Sequence, residues 1–166
     1  PAQIAQYQRF VDEVIWGGLQ YNEGDQIYGV RKSMFYYEPE QMPEGTYSES
    51  VPYGGWMSWN LREARSTGRS YNYPHVAALH WVLYRLARNH EGLVTNHEWD
   101  WYLRNACQTG LAMTRQASGL AQFGQMEGTV FLLILQDLQR EGWTDDAVEY
   151  EAAMRAELTE RDIEAI

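Results

Sequence analysis

Six acids crowd one stretch of this chain: Glu23, Asp25, Glu38, Glu40, Glu44 and Glu49 all fall within residues 19–55. Two stand among rings, Glu38 in "FYYEPE" and Glu49 in "YSESVPYGGW". A carboxyl group beside aromatic surface is poorly hydrated, which favours its protonated form and suits it to donate a proton. A second carboxylate nearby would complete an acid–base or acid–nucleophile pair. Glu127, in "GQMEGTV", is the third candidate, an acid between Met126 and Gly128 inside an otherwise apolar helix. Each has a plainer reading: a loop acid can bond a turn N–H, and an acid at a helix mouth can cap a neighbouring turn. Glu98 is accounted for as the fourth residue of a capping box, "TNHE", with Thr95 as cap. Asp100 is expected to face solvent or a nearby arginine.

Groups that could hold a ligand gather close by. The segment "RSYNYPHVAALHWVLYRLARNH" (69–90) places Tyr71, Asn72, Tyr73 and His75 where a helix must begin. Pro74 sits at a first-turn position, where its missing N–H costs nothing. With Tyr37, Tyr53 and Trp56 these residues form the candidate binding set. Trp56 and Trp59 are three apart, so if both lie on one helix at least one should be core. Other chemistries find less support. The histidines at 75, 80, 90 and 97 make no HExxH motif and no cluster with the single cysteine, so no metal site is expected. Cys107 lies on an apolar stripe, where a buried, inert thiol is the default. No glycine-rich phosphate loop and no cofactor motif is present. "DDAVE" (145–149) mimics the aspartate-rich motif of isoprenoid synthases, but capping of a helix start explains it better.

The elements that must position these groups are helical. Ile4, Tyr7, Val11 and Val14, broadened by Phe10 and Ile15, predict a helix over 2–16, ended by Gly17–Gly18. Residues 19–55 read as a long irregular region, ring-rich at 28, 35, 36, 37, 47 and 53, in which "IYGVRKSMFYYE" could supply a short β-hairpin. A loop this long in a compact domain is commonly functional, and its rings argue against disorder. "WMSWNLREARSTG" predicts a short helix from 56, closed by Gly68. Val76, Leu79, Leu83, Leu86 and Ala87 make the stripe of the next, to about Asn89. Trp99, Leu103, Ala106, Cys107 and Gly110 define another. After Ser118–Gly119 a largely apolar helix should run to Gly142. Ala147, Tyr150, Met154 and Leu158 give a last one, capped by Thr144. The expected class is all-α: antiparallel helical hairpins with one long aromatic loop, in a single domain spanning 1–166.

The bulk properties narrow the partners. The chain has 166 residues, 7 Trp and 12 Tyr, a net charge of −10 and a pI near 4.8. Such acidity repels a phosphate backbone, so nucleic acid is not an expected partner. No apolar run approaches the ~20 residues that cross a bilayer, and no membrane partner is expected. One cysteine allows no intrachain disulfide. No signal sequence is visible, and the compartment stays open, with a secreted or periplasmic location favoured.

Three stretches carry a resemblance: "GRSYNYPHVAALHWVLYRLARNH", "WDWYLRNACQTGLAM" and "FGQMEGTVFLLILQDLQREGW". Over roughly 50–145 they resemble the helical part of the six-hairpin glycosidase superfamily, and within it a microbial family of large carbohydrate-active proteins. The resemblance implies an (α/α)6 toroid whose loops at one end form a carbohydrate cleft with two carboxylates. It implies glycoside hydrolysis of an oligosaccharide or polysaccharide, with Glu38, Glu49 and Glu127 as candidate acids. Tyr37, Tyr53, Trp56, Tyr71, Asn72, Tyr73 and His75 would line the cleft. Six hairpins need about twelve helices and this sequence offers about six, so the chain is expected to form part of a toroid. The remainder would come from another chain or segment, or the fold would be a smaller relative of the toroid. The alternative is a non-catalytic helical-hairpin module that assembles with such a partner.

Overall fold

A computed structural model describes residues 2–54, 58–124 and 128–157. The fold is all-α. Its elements are α1 (Ala2–Phe10), continued by a π-helical turn (Val11–Ile15), α2 (Leu61–Ala64), α3 (Tyr73–Asn89), α4 (Trp99–Gln116), α5 (Ala121–Gly124), α6 (Gly128–Arg140) and α7 (Thr144–Glu157). Helices α3 and α4 form one hairpin and pack along most of their length, while α6 and α7 form a second that closes on both.

The core is the helical stripes read from spacing, with large rings set among them. Val76, Leu83, Leu103, Ala106, Cys107, Ala147, Tyr150 and Met154 are buried, joined by Tyr73, Tyr84 and Tyr102. Gly110 lets α4 approach α7, because a Cβ there would stand 2.7 Å from the Tyr150 ring. Leu79, Leu86, Ala87 and Trp99 pack at the edge of this core rather than within it.

The first helix ends as its glycines require. The π-turn bonds Trp16 N–H to Val11 C=O at 2.8 Å. Gly17 then takes φ +91°, and a Cβ at Gly18 would meet the Val14 carbonyl oxygen at 2.1 Å. Only a residue without a side chain fits that close approach.

Several expectations are corrected. No strand occurs among the described residues, only the isolated bridges Trp16–Gln20 and Gln20–Val30. From Ile27 onward the main-chain N–H groups go to the 21–29 turn, to Leu19 (from Arg31) and to Ser66, Ala64 and Trp59 (from Lys32, Ser33 and Tyr37), and no ladder with a second strand forms among the described residues. The short helix expected from 56 is described only over Leu61–Ala64, where the Asn60 side chain accepts the Glu63 N–H. Thr95 does not cap α4. The N-cap is Glu98, and the Thr95 N–H instead meets Gln8 from α1 at 2.8 Å. Thr144 is the first residue of α7, whose first bond goes from Ala147 N–H to Trp143 C=O. Trp56, Glu127 and Leu158 lie outside the described residues.

Candidate functional site

The long loop is anchored from its base upward. Gln20 is fully buried; its amide donates to Thr109 Oγ1 on α4 (2.7 Å) and to Tyr28 C=O (3.0 Å), while its Oε1 meets His80 Nε2 on α3 (2.9 Å). Residues 21–29 close as a turn through Tyr21 N–H to Gly29 C=O and Tyr28 N–H to Tyr21 C=O, with Tyr28 at φ +64°. Lys32 and Ser33 then send their N–H groups to Ser66 and Ala64 at the end of α2. The Asn72 amide ties the same segment to the start of α3, donating to Arg31 and Lys32 carbonyls at 2.8 and 3.0 Å.

Beyond that anchor the chain folds on its own rings. Tyr37 and Tyr53 stack with centroids 4.6 Å apart, Tyr47 meets both edge-on, and Phe35 stacks on the Tyr53 side at 5.9 Å. Hydroxyls complete the knot: Tyr47 Oη accepts the Glu38 N–H and donates to Tyr36 C=O, and Tyr53 Oη accepts the Ser48 N–H. Glu38 leaves this knot toward α2, where its Oε1 accepts the Leu61 N–H at 3.0 Å. Between the loop and α2 lies an open hollow of about 530 Å³, lined by Tyr21, Gln26, Glu38, Gln41, Leu61, Arg62, Arg65 and Ser66.

The candidate residues divide into three groups. Glu38 lines the hollow, while Tyr37, its neighbour in the chain, and Tyr53 stack on each other and do not line it. Glu49 is exposed on the loop and does not line the hollow. The residues at the start of α3 do not share the hollow either. Tyr73 is fully buried, donates to Thr67 C=O at 2.7 Å, and has its phenol pushed up to about 12, mainly by burial. Asn72 holds the loop by both amide bonds. Tyr71 is exposed and lies parallel to Phe123 at 6.2 Å, and His75 is exposed on α3. Tyr73 and Asn72 therefore build the floor on which the loop sits, not a ligand-facing surface.

The hollow also holds residues that spacing did not reveal. Tyr21 closes it by donating to Arg65 C=O at 3.0 Å, and Arg31 stacks on the Tyr21 ring at 4.4 Å. Gln26, Gln41, Arg62 and Arg65 bring amide and guanidinium groups to the same space. Arg62 and Arg65 stand three apart on one helical turn, the one signal in the sequence for a shared face. No cue marks Tyr21 or Gln26, which reach the hollow through the 21–29 turn.

Cys107 fits its expectation of a buried thiol: burial, with Asp146 and Glu149 nearby, pushes it up to about 12. Among the described residues no group of three His, Cys, Asp or Glu side chains is placed to hold a metal ion, and no helix is long and apolar enough to cross a membrane.

Residues 1–164 match a family of unknown function, DUF5695, and the chain belongs to that family. No curated protein and no solved structure matches it.

Proposed function

We propose that this chain is part of a carbohydrate-active protein and that saccharide seats in the hollow beside Glu38. The observation that carries this is the position of the Glu38 carboxylate. Leu61 N–H fixes Oε1, while Oε2 accepts no hydrogen bond among the described residues and stays available to a ligand hydroxyl or a proton. Around it stand amide, hydroxyl and guanidinium groups of the kind that bond sugar hydroxyls, in a space of the size small ligands occupy. The helical hairpins and the three resembling stretches support, for the same reading, a place in an (α/α)6-type array.

Hydrolysis needs a second carboxyl group across the scissile bond. Among the described lining residues Glu38 is the only acid. In the catalytic form of the proposal the second acid therefore comes from outside the lining described, with Glu49 and Glu127 as the candidates from this chain. The single acid also fits a module that binds saccharide without turnover, and it fits the alternative of a non-catalytic helical-hairpin module that assembles with another chain or domain.

A panel of oligosaccharides and aryl glycosides, followed by calorimetry and reducing-end release, tests both. The catalytic form expects Glu38→Gln to keep binding within a few-fold and to lower turnover by about 100-fold or more. Binding without any turnover selects the binding module. Absence of binding to every saccharide, or turnover unchanged in Glu38→Gln, removes the assignment.

A further inference from the structure

The chain carries a net charge of −10, yet the hollow is locally inverted. Its lining holds two guanidinium groups, Arg62 and Arg65, against one carboxylate, Glu38. Neither arginine is closed off by a tight ion pair among the described residues. Arg62 is 89% exposed, and its one acidic neighbour, Glu63, stands 3.9 Å away while bonding Lys32 at 3.1 Å. Arg65 lines the hollow, its carbonyl accepting the Tyr21 hydroxyl, and its exposed side chain has no ion-pair partner among the described residues. A third guanidinium, that of Arg31, lies 4.4 Å from the centroid of the Tyr21 ring that walls the same space.

A neutral sugar would use the guanidinium N–H groups as donors but would leave their charge unmatched. A carboxylate meets both needs, because the planar guanidinium fork matches its two oxygens and the charge strengthens both bonds. We infer that the hollow selects saccharides bearing a carboxylate, that is, chains containing uronic acid residues. The inference rests on the carbohydrate reading above and names its substrate class. In this arrangement Arg62 and Arg65 take the uronate carboxylate, Gln26 and Gln41 take ring hydroxyls, and Glu38, held by Leu61 N–H, faces the remaining hydroxyl or glycosidic oxygen. The overall negative field of the protein opposes indiscriminate capture of polyanions, so discrimination must be local.

The test compares oligogalacturonates and glucuronate-bearing oligosaccharides with their methyl esters, which keep the sugar and remove the charge, and with sulfated oligosaccharides of equal length. Calorimetry is run on the full chain and on an Arg62→Gln/Arg65→Gln double variant, whose replaced side chains are exposed and leave the core untouched. The free acids are expected to bind at least 10-fold more tightly than their esters, to weaken as salt rises, and to lose that preference in the double variant. Esters binding as tightly as acids overturn the inference and leave the carbohydrate reading standing. An acid preference that survives in the double variant overturns it too, by placing the anion elsewhere. Sulfated chains binding as well as uronates overturn the carboxylate assignment in favour of plain anion binding. Failure of acids, esters and neutral oligosaccharides alike takes down both readings.

Discussion

Two places in this molecule hold carboxylates against helices, and they treat them oppositely. At the end of α6, Asp137 and Glu141, the residue just past it, stand four apart and so share one helix face. Asp137 is engaged at both oxygens by α3 and by its own helix, while Glu141 is held at one oxygen and lies nearly buried against α3 rather than beside open space. Asp137 Oδ2 accepts Trp81 Nε1 at 2.8 Å and Arg85 at 3.4 Å, and Oδ1 pairs with Arg140. Glu141 Oε1 accepts both the Tyr84 hydroxyl and Arg88 Nε at 2.9 Å. Their side chains are 1% and 9% exposed. In the loop, Glu38 holds a single main-chain N–H and opens onto a hollow. The lesson is that residue type and spacing propose chemistry, but satisfaction decides it. A carboxylate with every lone pair matched is a strut between helices, while one with an idle oxygen beside empty space can act on something else.

The sharpest way to break that contrast is to remove each acid. Asp137→Ala leaves a buried indole N–H without an acceptor and two arginines without their shared anion. The arginines can turn to water, so the loss is expected at about 3 kcal/mol rather than the full cost of a deeply buried broken pair. Glu38→Ala removes one bond from a four-residue helix and should cost about 1 kcal/mol or less. Urea unfolding of both variants gives the comparison directly. Equal losses would mean that Glu38 is a strut as well.

Close packing supplies the next effect. At Gly110 the bundle leaves no room for a methyl group, since its Cβ would press on the Tyr150 ring, itself fully buried. Gly110→Ala gains helix propensity but must displace that ring or part α4 from α7. A net loss of about 2 kcal/mol is expected in the unfolding midpoint. Gly54→Ala, on the loop with nothing within 4 Å, should move it by about 0.5 kcal/mol or less.

These sites also mark what the sequence could convey. Apolar spacing located α3, α4 and α7 and every buried position described in α7, but only two of seven in α3 and four of ten in α4, because those two helices are covered on more than the one stripe that 3.6-residue intervals record. It missed Gln8, Gln20, His80, Asn105, Thr109 and Asp137, all buried and polar. Such residues are inside because of partners distant in the chain, as with Gln8 and the main chain of Thr95 and Asn96, and no local pattern records those partners. The loop shows the same division. Its rings were visible as composition, and their mutual stacking explains how an irregular segment stays compact. That Tyr73 would point inward and Tyr71 outward depends on the path of residues 30–32 over the helix start, which only the three-dimensional arrangement fixes. Of the candidate residues only Glu38 lines the hollow; its ring neighbours stack on one another beside it. The cationic side of the hollow came from α2, a helix whose spacing announced only that Arg62 and Arg65 share a face.

Burial of His80 makes the bundle side of the comparison sensitive to pH. Desolvation, and to a smaller degree the charge of His97, lowers its pKa to about 3. The folded state therefore keeps it neutral, while the unfolded chain takes up a proton near 6.5. Stability from this group is complete above pH 6.5 and is lost as pH falls from there toward 3. Between pH 7 and pH 5 the loss should be about 2 kcal/mol. His80→Gln carries no such titration, so its unfolding free energy should change less over the same interval, by about that difference. Identical pH profiles would show that the imidazole is not shut away from the proton.

The smallest effect separates the two regions most finely, because the chemical change is the same in each. Tyr84→Phe removes a hydroxyl bonded to Glu141 in the α3–α6 seam, and Tyr47→Phe removes one that accepts Glu38 N–H and donates to Tyr36 C=O in the loop. The first leaves a nearly buried carboxylate one donor short, though Arg88 remains, and should cost about 1 kcal/mol of global stability. The second frees two main-chain groups near the surface, where water replaces the lost partner. It should cost about 0.5 kcal/mol or less overall, while amide exchange at Glu38 quickens several-fold, because loop segments open locally without unfolding the bundle. Hydrogen exchange read residue by residue distinguishes the cases. If exchange at Glu38 slowed only through global unfolding, the loop would be as firmly built as the helices, and the hollow would have to be regarded as a rigid part of the scaffold.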